Sequence, residues 1–308
     1  MALLFYSRED DPQAWRAALC ARLPDLDFRI WPELGDPGVI ETALVWRPPP
    51  GLLASLPNLR AIFSLGAGID ALLADPTLPD VPLCRMVDPS LTRSMSEYVL
   101  TLVLFYHRRL DLYAEQQRSA RWRMEMPRPA SDTTVGVMGL GELGGDAARC
   151  LAGRGFRVRG WSRRRKRIAG VESFAGKAEL ESFLAGLDIV ICLLPLTPAT
   201  EGILNAELFA RLPQGACLVH LARGAHLVEQ DLLDAVQRGH LRGAVLDVFR
   251  EEPLPAEHPF WRHPRIRVTP HSASYSLPET GAEVVADNIR RLRAGRPLRH
   301  VVRRERGY

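Results

Sequence analysis

Short apolar runs recur along the chain, and stretches with helical spacing separate most of them. Residues 3–6, 43–46 and 61–65 are almost wholly apolar and short, as strands covered on both faces would be. After the first, Asp11-Pro12 opens a helix that runs to about residue 22, with Pro in a first-turn position. Leu65-Gly66-Ala67-Gly68 then reads as a tight loop. Further strands are predicted at 134–138, 157–161, 188–194, 216–221, 243–248 and 267–269, with helices such as 142–152 and 229–238 between them. Strand and helix in alternation imply βαβ units and parallel sheets.

Three segments break this rhythm. Residues 91–120 contain neither Gly nor Pro and carry a continuous apolar stripe, which predicts one long helix running between two domains. The Pro-rich stretch 126–131 reads as a linker or arm. A closing helix at 279–294 has no strand of its own to serve, which predicts that the chain returns to pack on its first domain. The expected fold class is α/β, with two Rossmann-like doubly wound parallel-sheet domains and a cleft between them. Residues 1–98 plus 278–308 would form a substrate-binding domain, and 99–277 a dinucleotide-binding domain. A length of 308 residues suits two domains.

Composition narrows the chemistry. Apolar residues at 46% and charged residues at 25% are ordinary globular values. The chain holds 38 arginines but only two lysines, Lys166 and Lys177, and neither sits in a P-loop, so P-loop and most Schiff-base chemistry are excluded. A net charge of +4 admits an anionic small molecule. With 36 acidic residues and no basic stripe interleaved with aromatics, a nucleic-acid partner is not expected. Cys20, Cys84, Cys150, Cys192 and Cys217 form no C-x-x-C pair, as expected of reduced thiols in a cytoplasmic protein. The eight histidines lack metal-ligand spacing, so no metal is expected. The start, MALLFYSRED, lacks a basic n-region, and no apolar run approaches roughly eighteen residues, so neither a signal peptide nor a membrane partner is expected.

Gly139-Leu140-Gly141-Glu142-Leu143-Gly144 is a G-x-G-x-x-G turn between a predicted strand and a predicted helix. Gly139 makes the turn, Gly141 lets the backbone approach a pyrophosphate, and Gly144 lets helix and strand pack. The helix N-terminus offers N–H groups to the anion. An NAD site would carry Asp or Glu at the end of the next strand, where this chain has Ser162 followed by Arg163, Arg164 and Arg165. A carboxylate would repel a ribose phosphate. A serine beside arginines can bind one, so NADPH is the expected cofactor and NADH a weaker one. Arg163 is the first candidate and Arg164 the second.

Three more segments follow predicted strands of the same domain: Leu221-Ala222-Arg223-Gly224, Asp247 through Glu252-Pro253, and Thr269-Pro270-His271. An arginine can hold a substrate carboxylate and polarise a carbonyl. A histidine can protonate the resulting alkoxide, and a carboxylate partner favours its charged form. His220, His226, His258 and His263 have no partner that the pattern names.

At these residues the chain resembles the D-isomer-specific 2-hydroxyacid dehydrogenases over nearly its whole length. Within them it is most similar to a branch that reduces glyoxylate and hydroxypyruvate, through MSEYVL, YHRR, GWSRRRK, GVESF, LLPLTPAT, LARGAHLVEQDLL, LDVFREEPLP and HPRIRVTPH. The resemblance implies NADPH-dependent reduction of a small 2-oxo acid. His271 would be the general acid, Glu252 its carboxylate partner and Arg223 the substrate-orienting arginine. Asp247 would support the nicotinamide side, with Leu194, Pro195, Thr200 and Ala222 flanking it. Ala67 and Gly68 would grip the substrate carboxylate through their N–H groups, and Trp46 and Arg47 would line the pocket. The segment Ser272-Ala273-Ser274-Tyr275 departs from the small apolar or glycine residues of much of the family. The Trp122–Met126 arm implies a homodimer.

Three other classes compete. A nucleotide-sensing corepressor on the same fold would keep the glycine turn but has no need of Arg, Glu and His together. A methyltransferase does not call for basic residues at the ribose position. A nucleic-acid binder does not fit the acidic count.

Overall fold

The computed structural model describes residues 1–307. It divides into two compact units, one of residues 1–91 with the chain from Tyr275 onward, the other spanning Thr92–Ser274.

The first unit is built on β1 (Ala2–Tyr6), α1 (Pro12–Arg22), β2 (Asp27–Ile30), β3 (Ile40–Val45), β4 (Ala61–Ser64), α2 (Asp70–Leu73) and β5 (Leu83–Cys84). Its strands form one parallel sheet in the order β2-β1-β3-β4-β5. Asp11 caps α1, accepting from the Gln13 N–H at 2.8 Å, with Pro12 in the first turn.

The second unit begins within α3 (Pro89–His107) and continues through α4 (Leu110–Arg118), β6 (Thr134–Met138), α5 (Glu142–Ala152), β7 (Arg157–Ser162) and β8 (Val171–Ala175). Then follow α6 (Leu180–Leu184), β9 (Ile189–Cys192), α7 (Ala206–Ala210), β10 (Ala216–His220), α8 (Glu229–Gln237), β11 (Leu241–Leu246) and β12 (Ile266–Val268). The seven strands are all parallel, in the order β12-β11-β10-β9-β6-β7-β8. Alternate residues feed two cores. Val190, Cys192, Leu218, Ala244 and Leu246 lie on one face, and Ile189, Ile191, Cys217, Val219 and Val245 on the other. Both faces are covered, which is why these strands read as unbroken apolar runs.

The last helix, α9 (Pro278–Arg293), packs on α1, where Gly281 admits the Trp15 ring; a Cβ there would stand 2.6 Å from it. The tail beyond α9 bridges back to Cys84 of β5 through Val301.

Two expectations are corrected. The helix predicted over 91–120 is broken after His107, because Arg109 adopts a left-handed conformation (φ 60°) and α4 starts afresh. Arginine is a good helix former, so no local signal marks the break. On α4, Asp111 meets Arg242 at 2.9 Å, a tertiary contact that the sequence does not announce. The strands β2, β5 and β8, unmarked by the pattern, all lie at sheet edges, where one flank is open and the alternation weakens.

Among the described residues no helix is long and apolar enough to cross a membrane, and no cluster of His, Cys, Asp and Glu could hold a metal. All five cysteines are free thiols.

Candidate active site

In the second unit the candidate residues follow strands at their carboxyl ends, where open α/β sheets bind ligands. Gly139–Gly144 follow β6, Ser162 to Arg164 β7, Leu194 and Pro195 β9, Ala222 and Arg223 β10, Asp247 and Glu252 β11, and His271 β12. The strand order reverses between β6 and β9, so the glycine turn sits at the switch point.

Gly139 takes φ +100°, and a Cβ on it would lie 2.5 Å from the Leu193 carbonyl oxygen. A Cβ on Gly144 would lie 1.8 Å from the Gly139 carbonyl oxygen. Both positions therefore admit glycine alone. Gly141 differs: a Cβ there would meet nothing within 4 Å. It is also the N-cap of α5 and offers no side chain to the free N–H groups. This cradle fits a pyrophosphate, with open space over the turn and an uncapped helix start. Leu143 is the second residue of that helix.

On the next strand Ser162 is buried and donates its hydroxyl to the Arg164 carbonyl at 2.7 Å, which folds the basic turn. Arg163 and Arg164 are exposed, and Arg165 is held by the Ser173 carbonyl and Glu179. On the far side of the turn, Thr200 donates to the Pro195 carbonyl at 2.7 Å and receives the Thr197 N–H at 2.9 Å, which closes the loop after β9.

His271 and Glu252 meet at 2.9 Å through Nδ1 and Oε2. Glu252 Oε1 accepts the Phe249 N–H at 3.0 Å, so the carboxylate is fixed at both oxygens. The neighbouring Glu251 is exposed. With Nδ1 committed, Nε2 is the nitrogen that can exchange a proton with a ligand. His271 has φ +53°, an uncommon conformation for a side-chain-bearing residue, and its N–H donates to the Asp247 carbonyl at 2.8 Å. The Asp247 carboxylate, 1% exposed, gathers the same loop. It accepts from Thr269 Oγ1 at 2.6 Å and from the N–H groups of Ser272 and Ala273 at 3.0 and 2.9 Å. Asp247 thus holds the loop that carries His271.

Arg223 is half-buried after β10, with its guanidinium donating to the Ala222 carbonyl at 2.7 Å. Its own carbonyl receives two imidazoles, His220 Nε2 and His226 Nδ1, each at 2.9 Å. Neither histidine is marked by the sequence pattern. A strand-end His and a loop His carry no spacing that reveals a shared acceptor. Of the other histidines, His258 meets Glu229 at 3.2 Å.

Burial and the neighbouring His226 push the His220 imidazole down to about 3 from its ordinary 6.5. Below 6.5 the unfolded chain binds a proton that the folded chain refuses, so stability falls as pH drops through this range. The His220→Gln variant, which keeps a donor at the Nε2 position, should lose this liability. Between pH 7 and about 5 its chemical-denaturation stability should gain on the wild type by up to ~1.4 kcal/mol per pH unit. Parallel stability curves would exclude the effect.

In the first unit, Trp46 and Arg47 follow β3, and the guanidinium lies 5.5 Å from the Trp46 ring centre. Arg47 has φ +44°. Trp46 lies against Gly66, where a Cβ would come within 2.5 Å of the ring. The loop's carbonyls are engaged: Leu65 receives Ser276 Oγ at 2.6 Å and Gly66 the Met86 N–H at 3.1 Å. Among the described residues the Ala67 and Gly68 N–H groups have no protein acceptor, so they can serve an anion. Tyr275, in the departing segment, donates to Asp10 at 2.6 Å.

The model of the D-isomer specific 2-hydroxyacid dehydrogenase NAD-binding domain matches residues 100–273. The chain is 47% identical to a glyoxylate/hydroxypyruvate reductase A of Serratia proteamaculans strain 568, covering 98% of each. It superposes with TM-score 0.97 on a D-isomer specific 2-hydroxyacid dehydrogenase from Xanthobacter autotrophicus Py2 solved with NADPH and MES, at 46% identity, covering 100% of this chain and 99% of that one. An NADPH-dependent glyoxylate/hydroxypyruvate reductase from Sinorhizobium meliloti, solved with NADP and sulfate, gives TM-score 0.94 at 40% identity, with 100% and 99% covered.

Proposed function

Because the chain belongs to the D-isomer-specific 2-hydroxyacid dehydrogenase family, we propose that it reduces glyoxylate to glycolate and hydroxypyruvate to D-glycerate with NADPH. The observation that carries the reading is the 2.9 Å pair of His271 and Glu252, which follow β12 and β11, with Arg223 after the next strand, β10. A carboxylate-held imidazole and an arginine are what protonation of an alkoxide and retention of a 2-oxo acid require.

The cofactor, when bound, supplies the hydride to the carbonyl carbon of the substrate. The glycine turn and the α5 N-terminus receive its pyrophosphate, and Arg163 and Arg164 its ribose phosphate. Leu194, Pro195, Thr200 and Ala222 would flank the nicotinamide, and Asp247 supports that side by holding the His271 loop. Arg223 orients the substrate carboxylate and polarises its carbonyl. His271 delivers a proton from Nε2 to the oxygen as it gains charge, and Glu252 holds the ring in place through Nδ1. In the first unit, Ala67 and Gly68 offer N–H groups of the kind that suit a carboxylate, with Trp46 packed against Gly66 and Arg47 over its ring.

Oxidation of NADPH followed at 340 nm with glyoxylate, hydroxypyruvate and pyruvate tests the reading. A protein that consumes NADPH with none of them would refute it. Cofactor choice has its own test. Arg163→Ala should raise KM for NADPH by about tenfold or more while leaving KM for NADH nearly unchanged, since only NADPH carries the phosphate. An unchanged ratio of the two constants would remove Arg163 from the site.

The same reading includes a homodimer. Trp122, Met124 and Met126 are 103%, 72% and 75% exposed on one arm, large apolar side chains of the kind that a subunit interface covers. The free thiols fit a cytoplasmic enzyme.

A further inference from the structure

His220 and His226 are both fully buried, and the mechanism above uses neither. Their rings meet edge to face, with centres 5.7 Å apart. Both converge on one atom, the Arg223 carbonyl oxygen, which also receives the His226 backbone N–H at 3.0 Å. Three donors on one carbonyl exceed its two lone pairs, so this peptide is held more firmly than a loop needs.

The second nitrogen of each ring separates their roles. His220 Nδ1 is buried without a partner, so the ring serves Arg223 alone. His226 Nε2 lies 3.3 Å from the Pro195 carbonyl, which already receives Thr200 Oγ1 at 2.7 Å. A neutral imidazole has one N–H, and the shorter contact assigns it to Arg223. His226 therefore stands between the loop after β9 and the loop that carries Arg223. Its backbone carbonyl is tied too, accepting the Leu204 N–H at 2.9 Å.

We propose that His220 and His226 are positioning residues that fix Arg223 for the substrate carboxylate. This rests on the reading of Arg223 as the substrate-orienting arginine. A loss of either donor frees the peptide, and displacement of an orienting group by about 1 Å costs on the order of a hundredfold in rate.

The test uses the intact protein and a crossed set of variants. Asparagine places its amide N–H near the Nδ1 position of histidine, and glutamine near Nε2. His226→Leu and His220→Leu should lower kcat/KM for glyoxylate by about ten- to a hundredfold. His226→Asn should restore most of the loss and His226→Gln should not, whereas His220→Gln should restore it and His220→Asn should not. NADPH affinity, read by quenching of protein fluorescence, should stay within about threefold of the wild type throughout. Equal losses in all six variants would overturn the proposal. So would losses seen in NADPH affinity and melting temperature with KM for glyoxylate unchanged. A wild type without 2-oxo acid turnover would overturn it differently, by removing the role of Arg223 on which it depends.

Discussion

Turnover of the His271→Asn variant is expected to fall by about 10²–10⁴-fold, with NADPH affinity unchanged. Asparagine suits this position for a structural reason. Residue 271 has φ +53°, a conformation that asparagine tolerates better than most replacements. The loop should therefore keep its N–H bond to the Asp247 carbonyl, and the Phe249 N–H should keep its bond to Glu252. What disappears is the titratable nitrogen: an amide cannot deliver a proton to an alkoxide near neutral pH. Steady-state kinetics with glyoxylate, beside a fluorescence titration with NADPH, separates the two effects. A variant turning over near the wild-type rate would remove His271 as the acid.

Gly224→Ala is expected to cost about 3 kcal/mol or more, a fall in melting temperature of roughly 6–12 °C. A Cβ on Gly224 would lie 1.9 Å from the Phe249 carbonyl carbon, 2.1 Å from its oxygen and 2.3 Å from the Arg250 nitrogen. All three are backbone atoms, so no rotamer change relieves the clash. The loops after β10 and β11 would have to part, and with them the segments carrying Arg223 and Glu252. Gly141→Ala is the matched control. Its Cβ meets no protein atom, so melting should hardly move while NADPH binding weakens. Calorimetry of the two variants checks the contrast. A Gly224→Ala protein as stable as the wild type would show that the two loops are not locked together.

Much of the fold is legible in the chain because both faces of the seven-stranded sheet are buried. A run such as 189–192 must then be apolar at every position, which marks it plainly. Edge strands lack that constraint. Asp27–Ile30 and Val171–Ala175 mix polar and apolar residues and pass for loops. The break at Arg109 is invisible for another reason, since arginine is a good helix former and nothing local marks its left-handed conformation. Candidate site residues are legible where chemistry needs a residue type at a fixed offset, as in Gly139 to Gly144, or beside a proline, as in Glu252 and His271. The pair His220 and His226 follows no such rule. Each makes an ordinary bond to a carbonyl, and only the folded chain reveals that the carbonyl is the same one.

The web around Asp247 bears on which sequence changes this chain can accept. Its two oxygens serve a hydroxyl and two backbone N–H groups, and all of these partners donate. Asparagine, the nearest replacement in shape, would turn an NH₂ toward one of those donors whichever way it flipped. A residue without a side-chain acceptor would strand the buried N–H of Ala273. Position 247 is thus closed to single-step drift. The Ser272 side chain, whose hydroxyl reaches the same carboxylate only at 3.5 Å, is exposed and open to change. Laboratory evolution of substrate range through the 272–275 segment can proceed at Ser272 while Asp247 keeps the backbone beneath it in place.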